Sequence, residues 1–135
     1  MTQTQPTRPQ LYACLRYADA AAAITFVEAL GFTERMVVRD TADPTFIHHA
    51  QFRWRDNGGI MFGTDREGGV GPRPGTACIN IVVDSDAEVD ATLARALSAG
   101  GRQLDEISEP DHGGRSVAVT DPEGNIFNID SYPGE

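Results

Sequence analysis

The sequence predicts an α+β domain made of two tandem βαβββ modules, whose curled mixed sheets surround a central cavity with the helices outside. Strand-like residues end at Asp19 and again at Asp84, and a segment with helical periodicity follows each aspartate. Turn-like residues that begin at Asp56 and Asp121 are each followed by a short apolar run. Both pairs of aspartates are 65 residues apart, so the two halves repeat one order of elements nearly in register. A pocket between two such sheets is the default position for a ligand.

Module 1 is predicted to occupy about residues 10–66. Two kinds of side chain alternate over residues 11–17, which is the pattern of a strand with two different faces. Asp19 is predicted to cap the following helix, because its carboxylate accepts hydrogen bonds from the free amides of the first turn. Gly31 then provides the left-handed residue at which the helix ends. Three more strands are predicted at residues 33–39, 46–55 and 59–62.

Module 2 is predicted at about residues 76–132 and repeats the same order of elements. Its first strand, residues 76–83, carries apolar side chains on both faces, which is typical of a strand buried on both sides. The helix is expected to be capped near Asp84 or Asp86. Three short strands follow near residues 102–104, 115–120 and 125–130. The two modules together form one domain, residues 10–132.

The linker between the modules, residues 67–75, has the sequence EGGVGPRPG. Glycines of this density occur in phosphate-binding loops, but Pro72 and Pro74 block the helix N-terminus that such a loop requires, so this function is excluded. Residues 1–9 are polar, contain Pro6 and Pro9, and are expected to form a flexible tail.

The composition limits the partners of the protein. A chain of 135 residues is long enough to bury one core, and its net charge of −9 argues against binding nucleic acid. The same charge is compatible with a cationic ligand or simply with solubility. The N-terminus lacks the apolar core of a secretion signal and no apolar stretch is long enough to span a membrane, so we expect no membrane partner and a cytoplasmic location. Cys14 and Cys78 are expected to be small buried thiols rather than a disulfide.

With the order βαβββ found twice, the sequence resembles the vicinal-oxygen-chelate superfamily. That group contains glyoxalase I, extradiol dioxygenases and drug-binding proteins of the bleomycin-resistance type. The resemblance covers residues 10–132, and its most specific parts are a helix that ends in ALGF, the segment HHAQFRW at residues 48–54, and GGRSVAVTDPEGNIF at residues 113–127. The resemblance implies a homodimer, and Pro6 and Pro9 would then serve as a hinge for exchanging the first strand between subunits.

Metal-dependent members of this superfamily hold a divalent ion at the inner ends of paired strands with His, Gln or Glu. Carried over by position, those ligands fall at Tyr12, Ala77, Asn128 and either Phe62 or Gly63. Divalent ions prefer imidazole, thiolate or carboxylate donors. Alanine and phenylalanine have no donor, an amide oxygen is weak, and a phenol would have to lose its proton. The resemblance therefore implies that the usual metal site is absent, and no cofactor is expected.

Three histidines are the remaining candidates for a relocated metal site. A shift of one residue brings Cys78 and Asp130 to the ligand positions but still no histidine. His48 and His49 are neighbours in a strand, so their side chains leave opposite faces and cannot hold the same ion. His112 lies in the loop EPDHGGR, which we expect at the rim of the cavity. An unconventional site that uses His49 remains the alternative to a polar residue that lines the cavity.

Strand alternation predicts which side chains face a ligand. The expected ligand-binding residues combine polar groups with aromatic surface, and they are Tyr12, Cys14, His49, Gln51, Trp54, Phe62, His112, Asn128 and Asp130. Trp54 is expected to contact a ligand or a partner subunit because its indole N–H needs an acceptor. Core packing is the alternative for Phe52 and Phe62.

The function predicted from these residues is that of a metal-free binding protein of the glyoxalase/bleomycin-resistance type, which sequesters an aromatic or cationic natural product or antibiotic. The main alternative is a metal-dependent lyase, isomerase or dioxygenase whose ligands have moved. A third possibility is metal-free acid–base catalysis by Tyr12 and His49, although no nucleophile motif accompanies them.

Overall fold

A computed structural model describes residues 8–135, and the first seven residues of the predicted tail lie outside this range. The elements follow the order βαβββ twice, which confirms the predicted fold class. Module 1 contains β1 (Ala13–Tyr17), α1 (Ala20–Leu30), β2 (Thr33–Arg39), β3 (Ile47–Trp54) and β4 (Gly58–Thr64). Module 2 contains β5 (Cys78–Val82), α2 (Asp86–Ser98), β6 (Arg102–Gln103), β7 (Ser116–Thr120) and β8 (Ile126–Asp130). Within residues 8–135, no helix combines the length and apolar character needed to cross a membrane.

Each module forms one mixed sheet of four strands. Sheet 1 has the order β1-β4-β3-β2, and sheet 2 has the equivalent order β5-β8-β7-β6. In both sheets the first strand runs parallel to the last strand of its module, while the other neighbours are antiparallel. The helix that follows the first strand makes this parallel pairing possible, because parallel strands need a long crossover connection.

The two helices begin at different kinds of cap. Asp19 accepts a hydrogen bond from the Ala22 amide at 3.0 Å, as predicted, and α1 ends at Gly31 with a φ of 122°. The cap of α2 is Ser85, which accepts from the Glu88 amide at 3.3 Å, so the cap lies between Asp84 and Asp86, near which it was predicted, and neither aspartate is the cap itself. A serine hydroxyl between two aspartates reaches the same free amides equally well. The two caps are therefore 66 residues apart rather than 65.

The same shift of one residue applies to the first strands of the two modules, so Cys78 rather than Ala77 corresponds to Tyr12. We define the core face of each sheet as the side that packs on the helices, and the outer face as the opposite side. Ala77 packs against the core, while Cys78 lies on the outer face and is exposed. Ile81 is only 2% exposed on the core face, whereas Asn80 on the outer face is exposed. The prediction that this strand is buried on both sides is therefore wrong.

Both modules share one hydrophobic core, in which the two helices contact each other. The Phe26 ring of α1 lies 5.9 Å from the Phe127 ring of β8, and the Phe32 ring lies 6.4 Å from the same ring. The Arg95 Nε of α2 donates to the Ala29 carbonyl at 2.8 Å. Aromatic burial of this kind dominates core energetics, so the modules stabilise each other.

Polar contacts join each module's last hairpin to the start of the other module's helix. The Glu123 carboxylate accepts hydrogen bonds from the amides of Ala18 and Asp19 at 2.7 and 2.8 Å. In the reciprocal position Arg55 pairs with Asp84 and donates to the Val82 carbonyl. The junction therefore repeats the symmetry of the modules with different chemistry on each side.

A buried turn supports the Glu123 contact. Asp121 is 2% exposed, and its carboxylate accepts from the Asn125 amide at 2.9 Å and from the Asn125 side chain at 2.8 Å. The Asn125 side-chain oxygen accepts in turn from the Ala77 amide. Burial, together with the nearby Asp121 carboxylate, raises the pKa of Tyr17 well above its ordinary value, so this phenol stays protonated.

The two sheets do not close around a common space within the single chain. Between residues 8 and 135, no strand of one sheet is hydrogen-bonded to a strand of the other. The outer faces, which the sequence placed around one central cavity, are instead open to their surroundings. The helices cover only the core faces, because each helix follows the first strand of its module and packs back onto the same sheet.

Candidate functional site

The outer face of sheet 1 carries a row of exposed and half-buried side chains from all four strands. Strand register aligns Cys14 of β1 with Met61 of β4, Met61 with Gln51 of β3, and Gln51 with Met36 of β2. Met36 is 44% exposed. Directly paired residues on one face lie close enough for their side chains to interact. Two thioethers, a thiol and an amide therefore form a continuous strip, which we call the outer strip.

Tyr12 lies beside the outer strip and covers a glycine. A Cβ atom added to Gly59 would lie 2.6 Å from the Tyr12 Cε1 atom, so only glycine leaves room for the ring. A cavity of about 290 Å³ borders this ring and is also lined by Met36 and Gln51. Three arginines line the same cavity, Arg8, Arg35 and Arg53.

His49 lies two residues before Gln51 on β3 and therefore on the same face. Its Nε2 atom is 3.0 Å from the Gln51 side-chain nitrogen, a contact that requires the imidazole nitrogen to accept. A second cavity, of about 310 Å³, is lined by His49, Cys14 and Met61 on the sheet and by residues 70–72 of the linker. The linker between the modules therefore passes over the outer face of sheet 1.

The two aromatic residues that were expected to face a ligand have internal partners. Phe62 is 2% exposed and stacks on Phe52 with ring centroids 5.5 Å apart, so most of its surface belongs to the core. The Trp54 indole N–H donates to the Val82 carbonyl at 2.8 Å, across the module junction. The argument that Trp54 needs an acceptor from a ligand or a partner is therefore wrong, because the protein itself supplies one.

The remaining predicted site residues lie on module 2. Asn128 is on the outer face of sheet 2, with its side-chain nitrogen 3.9 Å from the Cys78 sulfur. The Asp130 carboxylate accepts from the Tyr132 amide at 2.9 Å. The His112 ring meets the Tyr132 ring edge-on at 4.7 Å, beside the end of β8. Of the predicted set, the structure brings together Tyr12, Cys14, His49 and Gln51 on the outer face of sheet 1, separate from these three. Phe62, although buried, also lines the cavity that contains Cys14 and His49.

Both cysteines differ from expectation in one respect. They are free thiols, as predicted, but Cys14 and Cys78 are exposed on the outer faces rather than buried. The alternation that placed Tyr12 and Cys14 on one face also places Arg16 there, and sequence reasoning did not use that signal. Met61 was missed because an apolar run of three residues does not show which of them faces the ligand side of the sheet.

The residues of the outer faces do not match the donor set of a divalent ion. Among residues 8–135, no group of three or more His, Cys, Asp or Glu side chains is close enough to hold a metal. Of the positions carried over from metal-dependent relatives, Ala77 packs against the core and Phe62 is buried there. Tyr12 and Asn128 lie on different sheets. His48 bonds Asp40 at 2.9 Å, away from His49.

Sequence comparison connects this fold to a family. Residues 10–129 match the model of the glyoxalase/bleomycin resistance protein/dioxygenase superfamily. The chain belongs to this superfamily. No curated protein is significantly similar to the chain in sequence.

Solved structures with the same fold are distant in sequence. A glyoxalase-related enzyme from Fulvimarina pelagi is 25% identical, with a TM-score of 0.68 over 90% of this chain and 87% of that one. TioX from Micromonospora sp. ML1 is 22% identical, with a TM-score of 0.65 over 94% and 98%. The fosfomycin resistance protein FosX from Mesorhizobium loti is 13% identical, with a TM-score of 0.61 over 97% and 93%.

Proposed function

We propose that this superfamily member binds and sequesters a small organic molecule with an aromatic or cationic part, without a metal ion, on the outer face of sheet 1. The observation that supports this most directly is the grouping of Tyr12, Cys14, His49 and Gln51 around two cavities on one open face. Polar groups among apolar and aromatic surface suit a planar organic molecule. Thioethers such as that of Met61 adapt to ligands of different shape.

A ligand of antibiotic or natural-product type is the class that the relatives favour. The superfamily's description includes bleomycin resistance proteins, and a fosfomycin resistance protein shares the fold. For a cation, the Tyr12 ring offers cation–π attraction, and the negative charge of the protein adds long-range attraction.

We further propose that the protein acts as a homodimer. The sequence distributes its charge unequally, with seven arginines against seven Asp and Glu in residues 1–66 but three against twelve in residues 76–135. Residues 1–66 therefore carry no net charge while residues 76–135 are strongly negative, so a dimer that places module 1 of one copy beside module 2 of the other avoids repulsion between the two negative modules. Two exposed free thiols support a reducing compartment such as the cytoplasm, because exposed thiols oxidise elsewhere.

Three small probes with one ring and different charge test the binding function. Benzyl alcohol, benzylamine and benzylphosphonate are titrated into the protein, and binding is measured by thermal shift and by the NMR signals of the backbone amides. Binding of at least one probe, with the largest signal changes around Cys14, His49 and Gln51, is the expected result. Failure of all three to bind, or changes confined to module 2, would contradict the proposal.

The second candidate function is a metal-dependent lyase, isomerase or dioxygenase with relocated ligands, and His49 beside Cys14 is the arrangement that favours it. Elemental analysis of protein purified without chelators separates the two functions. Stoichiometric metal that is lost in a His49→Ala variant would support the enzyme. Protein without metal that still binds a probe would support the binding protein.

A further inference from the structure

Arg16 is a charged side chain without a partner on the outer face of sheet 1. It is half-buried, yet no hydrogen bond or ion pair to it is found among residues 8–135, where the ion pairs join other residues. A guanidinium has five N–H donors and no acceptor, and holding it partly out of water without a partner is unfavourable. Such a group is ready to receive an anion.

The Arg16 guanidinium occupies space that Gly63 leaves free because it has no side chain. A Cβ atom added to Gly63 of β4 would lie 2.9 Å from the Arg16 Nη1 atom, and 3.0 and 3.1 Å from the carbonyls of His48 and Ile47. Only glycine therefore allows the guanidinium to lie against the strand.

Two cavities meet at Arg16. One is the cavity of about 310 Å³ that is lined by Cys14, His49 and Met61. The other, of about 460 Å³, is lined by residues 65–73, which lead from the end of β4 into the linker. The larger cavity is lined by two more arginines, Arg66 and Arg73, and by two carboxylates, Asp65 and Glu67. Neither carboxylate forms an ion pair with Arg16, so its positive charge is not neutralised there.

We propose that the ligand of this site carries an oxyanion group, a carboxylate, phosphonate or sulfonate, which Arg16 binds under the linker. The apolar or aromatic part of the same molecule then lies in the adjoining cavity, against Cys14 and Met61. Arginine suits this role because its planar N–H groups match two oxygens of one anion. The inference rests on the proposed binding function and assigns an acidic group to its ligand.

The three benzyl probes test this assignment, because they differ in charge and share the ring. Wild-type protein should bind benzylphosphonate more tightly than benzyl alcohol or benzylamine, and added salt should weaken the binding of benzylphosphonate but not that of the uncharged benzyl alcohol. An Arg16→Gln variant should lose about tenfold or more in affinity for benzylphosphonate, since a charge-assisted hydrogen bond is lost. Arg16→Lys should lose less, because it keeps the charge but not the planar donors.

Arg102→Gln is the matched control, because it removes the same charge from an exposed position on β6 of the other module. Its affinity for benzylphosphonate should stay within about twofold of wild type. Independently of any variant, the Nε–H signal of Arg16 in the wild-type protein should shift when benzylphosphonate is added.

Each outcome separates the two proposals. If benzyl alcohol binds to the outer face of sheet 1 as tightly as benzylphosphonate, or the Arg16 signal does not move, the anion assignment is wrong and the binding function stands. If Arg16→Gln and Arg102→Gln lower the affinity equally, the assignment is also wrong. If no probe binds, both proposals fail.

Discussion

The two modules share one topology but differ in the chemistry of their outer faces. Sheet 1 presents Tyr12, Cys14, Arg16, Gln51 and the thioether of Met61, with all of them next to cavities. Sheet 2 presents shorter side chains, including the row that register forms from Asn80, Asn128 and Ala118. The core faces are alike in both modules. A duplicated fold can therefore keep its packing surfaces while the side chains of its two outer faces diverge.

The junction between the modules shows the same divergence at symmetric positions. Glu123 accepts two backbone amides at the start of α1, whereas Arg55 reaches a carbonyl and an exposed aspartate at the start of α2. Carboxylates are favourable near helix N-termini, where free amides and the helix dipole are positive. The Arg55–Asp84 pair has side chains that are 46% and 74% exposed, so water screens it. The Glu123 contact is therefore expected to stabilise the junction more than the Arg55 contact at the symmetric position.

The variant with the largest expected effect on stability tests whether the two modules share one hydrophobic core. Phe127→Ala should lower the free energy of unfolding by about 3–5 kcal/mol, because it removes the ring that contacts both Phe26 and Phe32. Urea denaturation followed by tryptophan fluorescence and by circular dichroism measures it. Ile126→Ala, one position away on the outer face, is the control and should cost roughly 1 kcal/mol. Separate transitions for the two probes would show that the modules unfold independently.

A second pair of variants compares the two sides of the junction. Glu123→Ala should destabilise the protein by about 1–2 kcal/mol, since two amides lose a charged acceptor. Arg55→Ala should cost only about 0.5 kcal/mol, as expected for an exposed ion pair. Both are measured by urea denaturation. Equal losses would refute the proposed asymmetry.

A third pair of variants tests whether the outer face of sheet 1 or that of sheet 2 binds the ligand. His49→Ala should weaken the tightest-binding benzyl probe by roughly tenfold, while its melting temperature stays close to wild type because His49 packs outside the core. Asn128→Ala makes a comparable truncation on sheet 2 and should change the affinity by about twofold or less. Isothermal titration measures both. A larger loss for Asn128→Ala would move the site to module 2.

The smallest expected effect is electrostatic and lies at the edge of sheet 1. The hydrogen bond from His48 holds the pKa of the Asp40 carboxyl below its usual range. A carboxyl with a lowered folded-state pKa stabilises the protein above its unfolded pKa, and this contribution disappears as the pH falls through the folded pKa. In a His48→Gln variant, a carbon-detected NMR titration should show the Asp40 pKa rising. No change would mean that the two side chains do not interact in solution.

Strand alternation and capping chemistry predicted most of the fold. The stretch from Thr33 to Arg39 forms a strand with the predicted bounds, and Asp19 caps α1 as expected. The constant spacing of 65 residues was less reliable, because the cap of α2 is Ser85 and the outer-face residue that corresponds to Tyr12 is Cys78 rather than Ala77. One residue of shift reverses the face of every side chain in a strand. When neighbouring residues can each cap a helix, the local sequence pattern does not show which of them is the cap.

The candidate site was predicted only in part, for reasons of tertiary contact. Tyr12, Cys14, His49 and Gln51 came from alternation, which is local. The partner of Trp54 is a carbonyl 28 residues away along the chain, and no pattern in β3 indicates it. The passage of the linker over sheet 1 depends on how both modules pack, so the position of Arg16 between the sheet and the linker could not be predicted from strand alternation.

The exposed cysteines, one on each outer face, provide the most direct test of the central claim that sheet 1 binds the ligand. The alkylation rates of Cys14 and Cys78 are measured by mass spectrometry with and without a saturating amount of the tightest-binding benzyl probe. Because a covered thiol reacts only when the probe dissociates, the account predicts that Cys14 slows about tenfold at 90% occupancy while Cys78 changes less than about twofold. Protection of Cys78 alone, or no protection of either thiol, would contradict it.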